Sequence, residues 1–171
     1  DNTKTYGPRA GDASQQLSQD GTICTYGYGE FPTTGVVLWR DERREIEESQ
    51  GKGGPTNVTL KYSWSYAIGV CKGPIGAYLI IKRNGTIVYD LRTDEELLSI
   101  GYSESQIAET RAAQAKFEKT FKLYYGDDEQ MPDPTIQSVK GVDNVPAYRG
   151  RAYIVATDDD VTNDGAAIPQ F

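Results

Sequence analysis

Clustered carboxylates are the residues of this sequence with the clearest capacity for chemistry. Acidic side chains gather at 127–129 and again at 158–160. Two carboxylates about 5–9.5 Å apart can hydrolyse a glycosidic bond, one as the acid and the other as nucleophile or base. Asp128 and Asp159 are the pair that a cell-wall glycan hydrolase would use here. Acidic clusters beside Pro and Gly are usually solvated turns, so we predict no catalytic residue and no enzyme.

Composition removes most other reactive sets. The 171 residues contain no histidine, which excludes Ser-His-Asp and Cys-His nucleophile systems and histidine metal sites. Cys24 and Cys71 lack a zinc spacing, and they fit either two buried thiols or a single bridge. The acidic run 158–165 has the composition of a calcium loop, but it lacks the regular ligand spacing and the closing Glu. We therefore predict no cofactor and no metal.

Charge and hydropathy limit the possible partners. The net charge of −7 argues against nucleic acid or an anionic membrane surface as the main partner. No stretch approaches 18 apolar residues, so we predict no membrane span. The chain opens on Asp1 rather than Met and closes on Gln170-Phe171 directly after an apolar residue, and we expect it to be a piece of a longer polypeptide.

One long strand dominates the elements that would position any site. Large apolar residues occupy every second position from 58 to 70: Val58, Leu60, Tyr62, Trp64, Tyr66, Ile68 and Val70. Small or polar residues fill the positions between them, and a period of two is typical of a strand with one apolar face. Burying seven such side chains is worth roughly 10–20 kcal/mol, so this face must pack against a core or a partner.

Shorter patterns predict the other elements. Asn84-Gly85 predicts a tight hairpin between strands at 77–83 and 86–91. Ser103 and Gln106 form a capping box that begins a helix over about 104–116. The remaining predictions are strands at 22–28, 35–39, 118–125 and 151–156, an exposed, mobile hairpin loop over 40–57, and an acidic loop from 158 to 165. The predicted fold class is α+β and mainly β, with antiparallel sheets or a partial barrel and one substantial helix.

Several short segments, taken in order, resemble conserved motifs of one protein family. They are 7–9, 26–27, 35–39, 62–75, 84–90, 123–134, 145–155 and 168–171. The sequence is similar there to the hub or host-specificity protein at the tail tip of long-tailed phages and gene transfer agents. Lys72 departs from the motif, because the family has an acidic residue before Gly-Pro.

The resemblance implies a structural role in a virion. Residues 1–171 would form one tail-hub domain of a longer chain, or two small β subdomains, at the tail tip of a particle made in the bacterial cytoplasm. Its partners would be copies of itself in a trimeric ring, the distal tail-tube ring protein and other tail-tip proteins, with the tape-measure protein as a further contact. The motif residues assigned a structural role are Tyr26, Gly27, Trp39, Cys71, Gly73, Pro74, Pro132, Pro134, Pro146, Tyr148, Arg149, Gly150, Tyr153, Ile168 and Pro169.

A second function stays open on the sequence. A carbohydrate- or protein-binding β module of a surface protein would present exposed aromatic side chains that stack on sugar rings. Trp39, Trp64 and the tyrosines are the candidates for such a platform. Their burial discriminates between the two functions.

Overall fold

The computed structural model describes residues 4–6, 25–50 and 56–171. The strands are β1 (Lys4–Tyr6), β2 (Val36–Arg40), β3 (Arg44–Gln50), β4 (Thr56–Lys72), β5 (Ile80–Arg83), β6 (Thr86–Asp90), β7 (Phe121–Tyr124) and β8 (Arg151–Asp160). The helices are α1 (Asp94–Ser99), α2 (Glu104–Thr120) and α3 (Pro134–Lys140), with short 3₁₀ turns at Val142–Asn144 and Thr162–Asp164. The predictions for Cys24 and for the motif at 7–9 lie outside these residues.

Strand β4 is the centre of a six-stranded sheet. It pairs antiparallel with β8 and with both β2 and β3, and parallel with β1, while β7 pairs with β8. Strands β5 and β6 form a separate antiparallel pair. The described chain is thus α+β and mainly β, as predicted, and its strands close no barrel. None of the described helices is both long and apolar enough to cross a membrane.

The alternation in β4 produces the buried face that the sequence predicts, with one exception. Every second residue from Val58 to Ile68 is buried. A bulge against β8 then falls between Gly69 and Cys71, and it reverses the alternation. Cys71 is therefore buried on the core face, whereas Val70 is only half-buried.

The sheet separates two apolar clusters. The larger one contains the even-numbered face of β4 and joins it to Tyr89 of β6, Phe117 of α2 and Phe121 of β7. The rings of Phe117 and Phe121 stack with centroids 4.4 Å apart. The smaller cluster lies on the opposite face and contains Trp39, Ala67, Ile136, Val145, Tyr153 and Val155.

Local signals set the hairpin and the helix starts. Asn84 and Gly85 both adopt positive φ, at 47° and 83°, which confirms the tight hairpin. The Ser103–Gln106 capping box begins α2 as predicted. An equivalent box of Thr93 and Glu96 begins α1, a helix that the sequence prediction missed.

Several boundaries were predicted wrongly, among them the start of β5 at Ile80 instead of 77. Helix α2 continues to Thr120, so the strand expected from 118 begins at Phe121. Its buried residues are Ile107 and Phe117, and the alanines that suggested an apolar face, 108, 112 and 115, are exposed. Residues 25–28 are not in a strand.

Two predicted loops contain strands. The segment expected to be a mobile loop over 40–57 includes β3, whose charged residues pair along β4. The acidic run at 158–160 belongs to β8. In both cases a long neighbouring strand supplies hydrogen-bond partners, and this outweighs the low strand propensity of Asp and Glu.

Candidate functional site

Two of the motif segments, 123–134 and 145–155, meet at one buried amide, and the end of a third, 62–75, joins them through backbone hydrogen bonds. The Oε1 of Gln130 accepts a 2.8 Å hydrogen bond from the Gly126 amide, and its Nε2 donates to the carbonyls of Ala147 and Tyr148, both at 2.9 Å. Only 6% of Gln130 is exposed. We call the segments around it, residues 73, 126–130 and 147–151, the Gln130 junction.

Backbone hydrogen bonds complete the Gln130 junction. Gly150 donates to the Gly126 carbonyl at 2.8 Å, and Gly73 donates to the Gly150 carbonyl at 2.7 Å. A side chain at Gly126 would place its Cβ 2.9 Å from backbone atoms of both Gly73 and Arg151, and φ there is +81°. Only glycine fits this position, because real Cβ atoms do not approach backbone so closely.

An aromatic group lies beside the junction on the smaller cluster. The rings of Tyr124 and Tyr153 stack at 4.4 Å, and Tyr148 packs against Tyr153 at 5.3 Å. The Tyr124 hydroxyl donates to Asp133 at 2.7 Å, and Asp133 also caps α3 by accepting from the Ile136 amide. Burial raises the pKa of both the Tyr124 and the Tyr153 hydroxyls. The Oη of Tyr153 is buried and has no hydrogen-bond partner in the described structure.

A second polar network lies at the other end of β8. Arg83, at the tip of the β5–β6 hairpin, pairs with Asp159 at 2.9 Å and with Asp164. The buried Asp159 also accepts a 2.6 Å hydrogen bond from the Tyr66 hydroxyl, and Asn84 donates to Asp164 at 2.6 Å. We call these five residues the Arg83 cluster.

Burial shifts the pKa values of two groups in the Arg83 cluster. Burial raises the pKa of Asp159, although the hydrogen bond from Tyr66 and the charge of Arg83 act in the opposite direction. Burial also raises the pKa of the Tyr66 hydroxyl, and the charge of Asp159 adds to this effect. The hydrogen bonds from Thr162 lower the pKa of Asp160.

The carboxylates that suggested chemistry do not form the expected pair. Asp128 lies two residues beyond Gly126, whose carbonyl is bonded to the Gly150 amide. Asp159 lies nine residues after Gly150, near the far end of β8. At about 3.3 Å per strand residue this separates the two by roughly 25–30 Å, far more than a glycosidase pair allows. Asp128 and Asp159 are therefore not a catalytic pair.

The acidic run 158–165 does not fold as a cation loop in the described structure. Asp158 pairs with Arg44 at 2.9 Å, Asp159 and Asp164 pair with Arg83, and Asp160 accepts from the Thr162 amide at 3.0 Å. Among the residues described, no group of three His, Cys, Asp or Glu side chains converges as metal ligands.

One open groove of about 310 Å³ lies beside α3. Its polar groups largely bond to one another: Arg44 pairs with Asp158, Thr135 bonds to Thr157 at 2.8 Å, and Ser65 accepts from the Asp158 amide. The groove therefore leaves few polar groups to recognise a ligand.

The aromatic candidates divide between core and surface. Trp39 and Trp64 are buried, with 6% and 5% exposed, so neither serves as a sugar-stacking platform. Tyr26 and Tyr28 are exposed, their rings pack edge to face at 5.3 Å, and their hydroxyls are 2.7 Å apart.

The other motif residues take varied positions. Gly27 leaves room for the Phe31 ring, Cys71, Tyr153 and Pro169 are buried, and Pro134 opens α3. Pro132 and Ile168 are half-buried, whereas Pro74, Pro146 and Arg149 are exposed.

The residues that organise both networks were missed individually by the sequence analysis. Gln130 lies within a motif segment, but nothing local marks it as buried. Arg83 precedes the Asn-Gly turn, and only its position at the hairpin tip could have indicated a long-range contact. Both meet their partners through tertiary contacts about 20 to 80 residues away along the chain.

Comparisons with known proteins give one weak likeness. No family model and no curated protein matches the chain. A chain of a solved structure described as "Virion of native gene transfer agent (GTA) particle" is 22% identical, with a TM-score of 0.41. The match covers 92% of this chain and 30% of that one, so this chain spans less than a third of its length. A likeness at this level carries no conclusion about fold or function.

Proposed function

We propose that this chain is a structural domain of a phage-type tail tip, where it forms part of the hub that closes the distal end of the tail tube. Its role is assembly of the particle, without bond chemistry. The proposed partners are two further copies in a trimeric ring, the distal tail-tube ring protein and other tail-tip proteins. The tape-measure protein would pass through or contact the ring.

The convergence of the motif segments is the observation that carries the proposal. Segments that resemble hub motifs at 73–75, 126–134 and 145–151 lie far apart in sequence, yet they meet at the Gln130 junction. A chance resemblance of short segments gives no reason for them to share one structural unit. Their convergence supports the view that the motifs describe one structural element.

The long strand offers further support. The seventeen residues of β4 extend past β8 and continue beside β3 and β1. A strand of this length is far above the usual 3–10 residues. Its pairing partners β1, β2, β3 and β8 lie within the chain, so β4 would give a ring subunit a long internal scaffold.

The location of the protein in a particle tests the proposal. We expect electron cryomicroscopy of particles that contain the full-length protein to place this fold at the distal end of the tail tube, in three copies. Density for this fold in the capsid or neck, or its absence from the particle, would overturn the proposal.

A further inference from the structure

Three neighbouring cations of this acidic chain have no acidic partner among the residues that the structure describes. Lys72 at the end of β4, Arg151 at the start of β8 and Arg149 in the preceding turn form no ion pair in the described structure. Among the described residues, ion pairs are formed by Arg44, Lys61, Arg83, Arg92 and Arg111, whereas surface lysines such as Lys116 and Lys119 also form none, so it is the grouping of the three cations that sets them apart. We call Lys72, Arg149 and Arg151 the cationic cluster.

Two members of the cationic cluster are direct neighbours on adjacent strands. Lys72 and Arg151 are directly paired residues of the antiparallel strands β4 and β8, so their side chains share one face. Like charges directly opposite each other destabilise a strand pair. This arrangement therefore costs stability, and a bound anion would remove that cost.

The third member is held in place by the Gln130 junction. The Nε of Arg149 donates a 3.2 Å hydrogen bond to the Gln130 carbonyl, while the side chain remains exposed. Its two Nη groups have no partner among the described residues. An arginine fixed at Nε loses less side-chain freedom when its Nη groups bind a carboxylate.

Exposed apolar side chains lie on the segments that border the cationic cluster. Tyr26 lies 3.8 Å from the position that a Gly73 Cβ would occupy, and the Lys72 amide is bonded to the carbonyl before Tyr26. Met131, which is 66% exposed, follows Gln130 directly, and Tyr125 precedes Gly126. Tyr, Met and Arg are enriched at protein interfaces, whereas Lys and Glu are depleted.

We propose that the cationic cluster and its surrounding tyrosines bind an acidic segment of a partner protein. The three cations complement two or three carboxylates, and the exposed aromatic and Met side chains supply apolar contact. A long polyanion such as DNA fits less well, because it would extend past the three cations and over the rest of a chain whose net charge is −7. This proposal goes beyond the tail-tip function and does not depend on it.

The test uses capped decaglutamate as the probe, titrated into the 171-residue chain and followed by amide chemical shifts. We expect saturable binding at low salt, with the largest shifts at 72–73 and 149–151, and clear weakening at 0.3 M salt. Decathymidylate and decalysine are titrated in parallel. Absence of decaglutamate binding, or tighter binding of decathymidylate, would overturn the proposal.

Lys72→Glu separates binding from folding. It should weaken decaglutamate binding at least about tenfold. It also replaces a like-charge pair with an opposite-charge pair, so the urea midpoint should rise. Lys116→Glu, on the exposed surface of α2, changes the net charge equally and should leave binding nearly unchanged. Equal weakening by both variants would show only a net-charge effect and would refute the site.

Discussion

The two ends of β8 are tied to distant parts of the chain by polar networks of opposite character. At its start, the Gln130 junction uses a neutral amide and backbone groups, and every bond has a fixed geometry. At its end, the Arg83 cluster uses charged side chains around the buried Asp159. The first network depends on close packing, which leaves no room for a side chain at Gly126. The second depends on charge and therefore changes when its carboxylates are protonated.

This difference teaches where each kind of polar network is useful. Neutral backbone bonds keep their strength over the whole pH range, because neither partner titrates. Charge-assisted bonds are stronger individually, but the burial of an ion opposes them. A fixed junction suits segments that must keep one relative position, and it is the Gln130 junction that positions the exposed Arg149.

The largest effect should follow from filling the space at Gly126. In Gly126→Ala the new Cβ meets backbone atoms of Gly73 and Arg151, so we expect a loss of at least about 3 kcal/mol in the unfolding free energy, or no folded protein. Urea denaturation followed by circular dichroism measures it. Gly85→Ala is the matched control, since Gly85 has a similar φ of +83° but open space around it.

The control should cost only about 1–2 kcal/mol, which is the strain of a left-handed alanine. Similar losses for Gly126→Ala and Gly85→Ala would mean that close packing at the junction contributes little.

Introducing a charge into the Gln130 junction should make it behave like the Arg83 cluster. Glu at position 130 can still accept from the Gly126 amide, but its carboxylate cannot donate to the Ala147 and Tyr148 carbonyls. We expect Gln130→Glu to cost about 2–3 kcal/mol at pH 7. Burial should raise the pKa of the new carboxyl, so part of this stability should return as the pH falls toward 4.

Gln106→Glu provides the control for this substitution. Gln106 is the exposed residue of the α2 capping box, where Glu serves as well as Gln. Its unfolding free energy should change by less than about 0.5 kcal/mol. A pH-independent loss in Gln130→Glu would contradict the assigned donor role of Nε2.

The smallest effect should come from the charge of Asp159. Its folded pKa is raised, so the folded state holds this proton more tightly than the unfolded state, and the unfolding free energy gains from this group as the pH falls. Asp159→Asn removes that gain but keeps an acceptor for Tyr66. At pH 7 we expect the unfolding free energies of Asp159→Asn and the wild type to differ by about 1 kcal/mol or less. Toward pH 3 the wild type should become more stable relative to the variant.

Asp90→Asn should show the opposite sign. The hydrogen bonds from Arg92 lower the pKa of Asp90, so its contribution is present at neutral pH and is lost as the pH falls through the folded value. The advantage of the wild type over Asp90→Asn should therefore shrink toward pH 3. Parallel pH profiles for the two variants would show that burial does not dominate at Asp159.

The sequence by itself determined the elements whose signals are local. The period of two from Val58 to Ile68 fixed a long strand, Asn84-Gly85 fixed the hairpin, and Ser103 with Gln106 fixed the start of α2. Each signal depends on neighbouring residues, because side-chain alternation, turn geometry and caps act within a few positions. The mainly β class followed from the same patterns.

Only the tertiary structure decided how these elements use their polar residues. The charged segments that form β3 and the end of β8 became strands because β4 supplied partners, and the bulge at Gly69 replaced Val70 by Cys71 in the core. Contacts with residues far away in the chain gave Gln130 and Arg83 their roles. The same is true of Lys72 and Arg151, which are strand neighbours without an ion pair in the described structure. Hydrogen bonds and charges depend on distances in space, and the order of residues does not fix those distances until the sheet has formed.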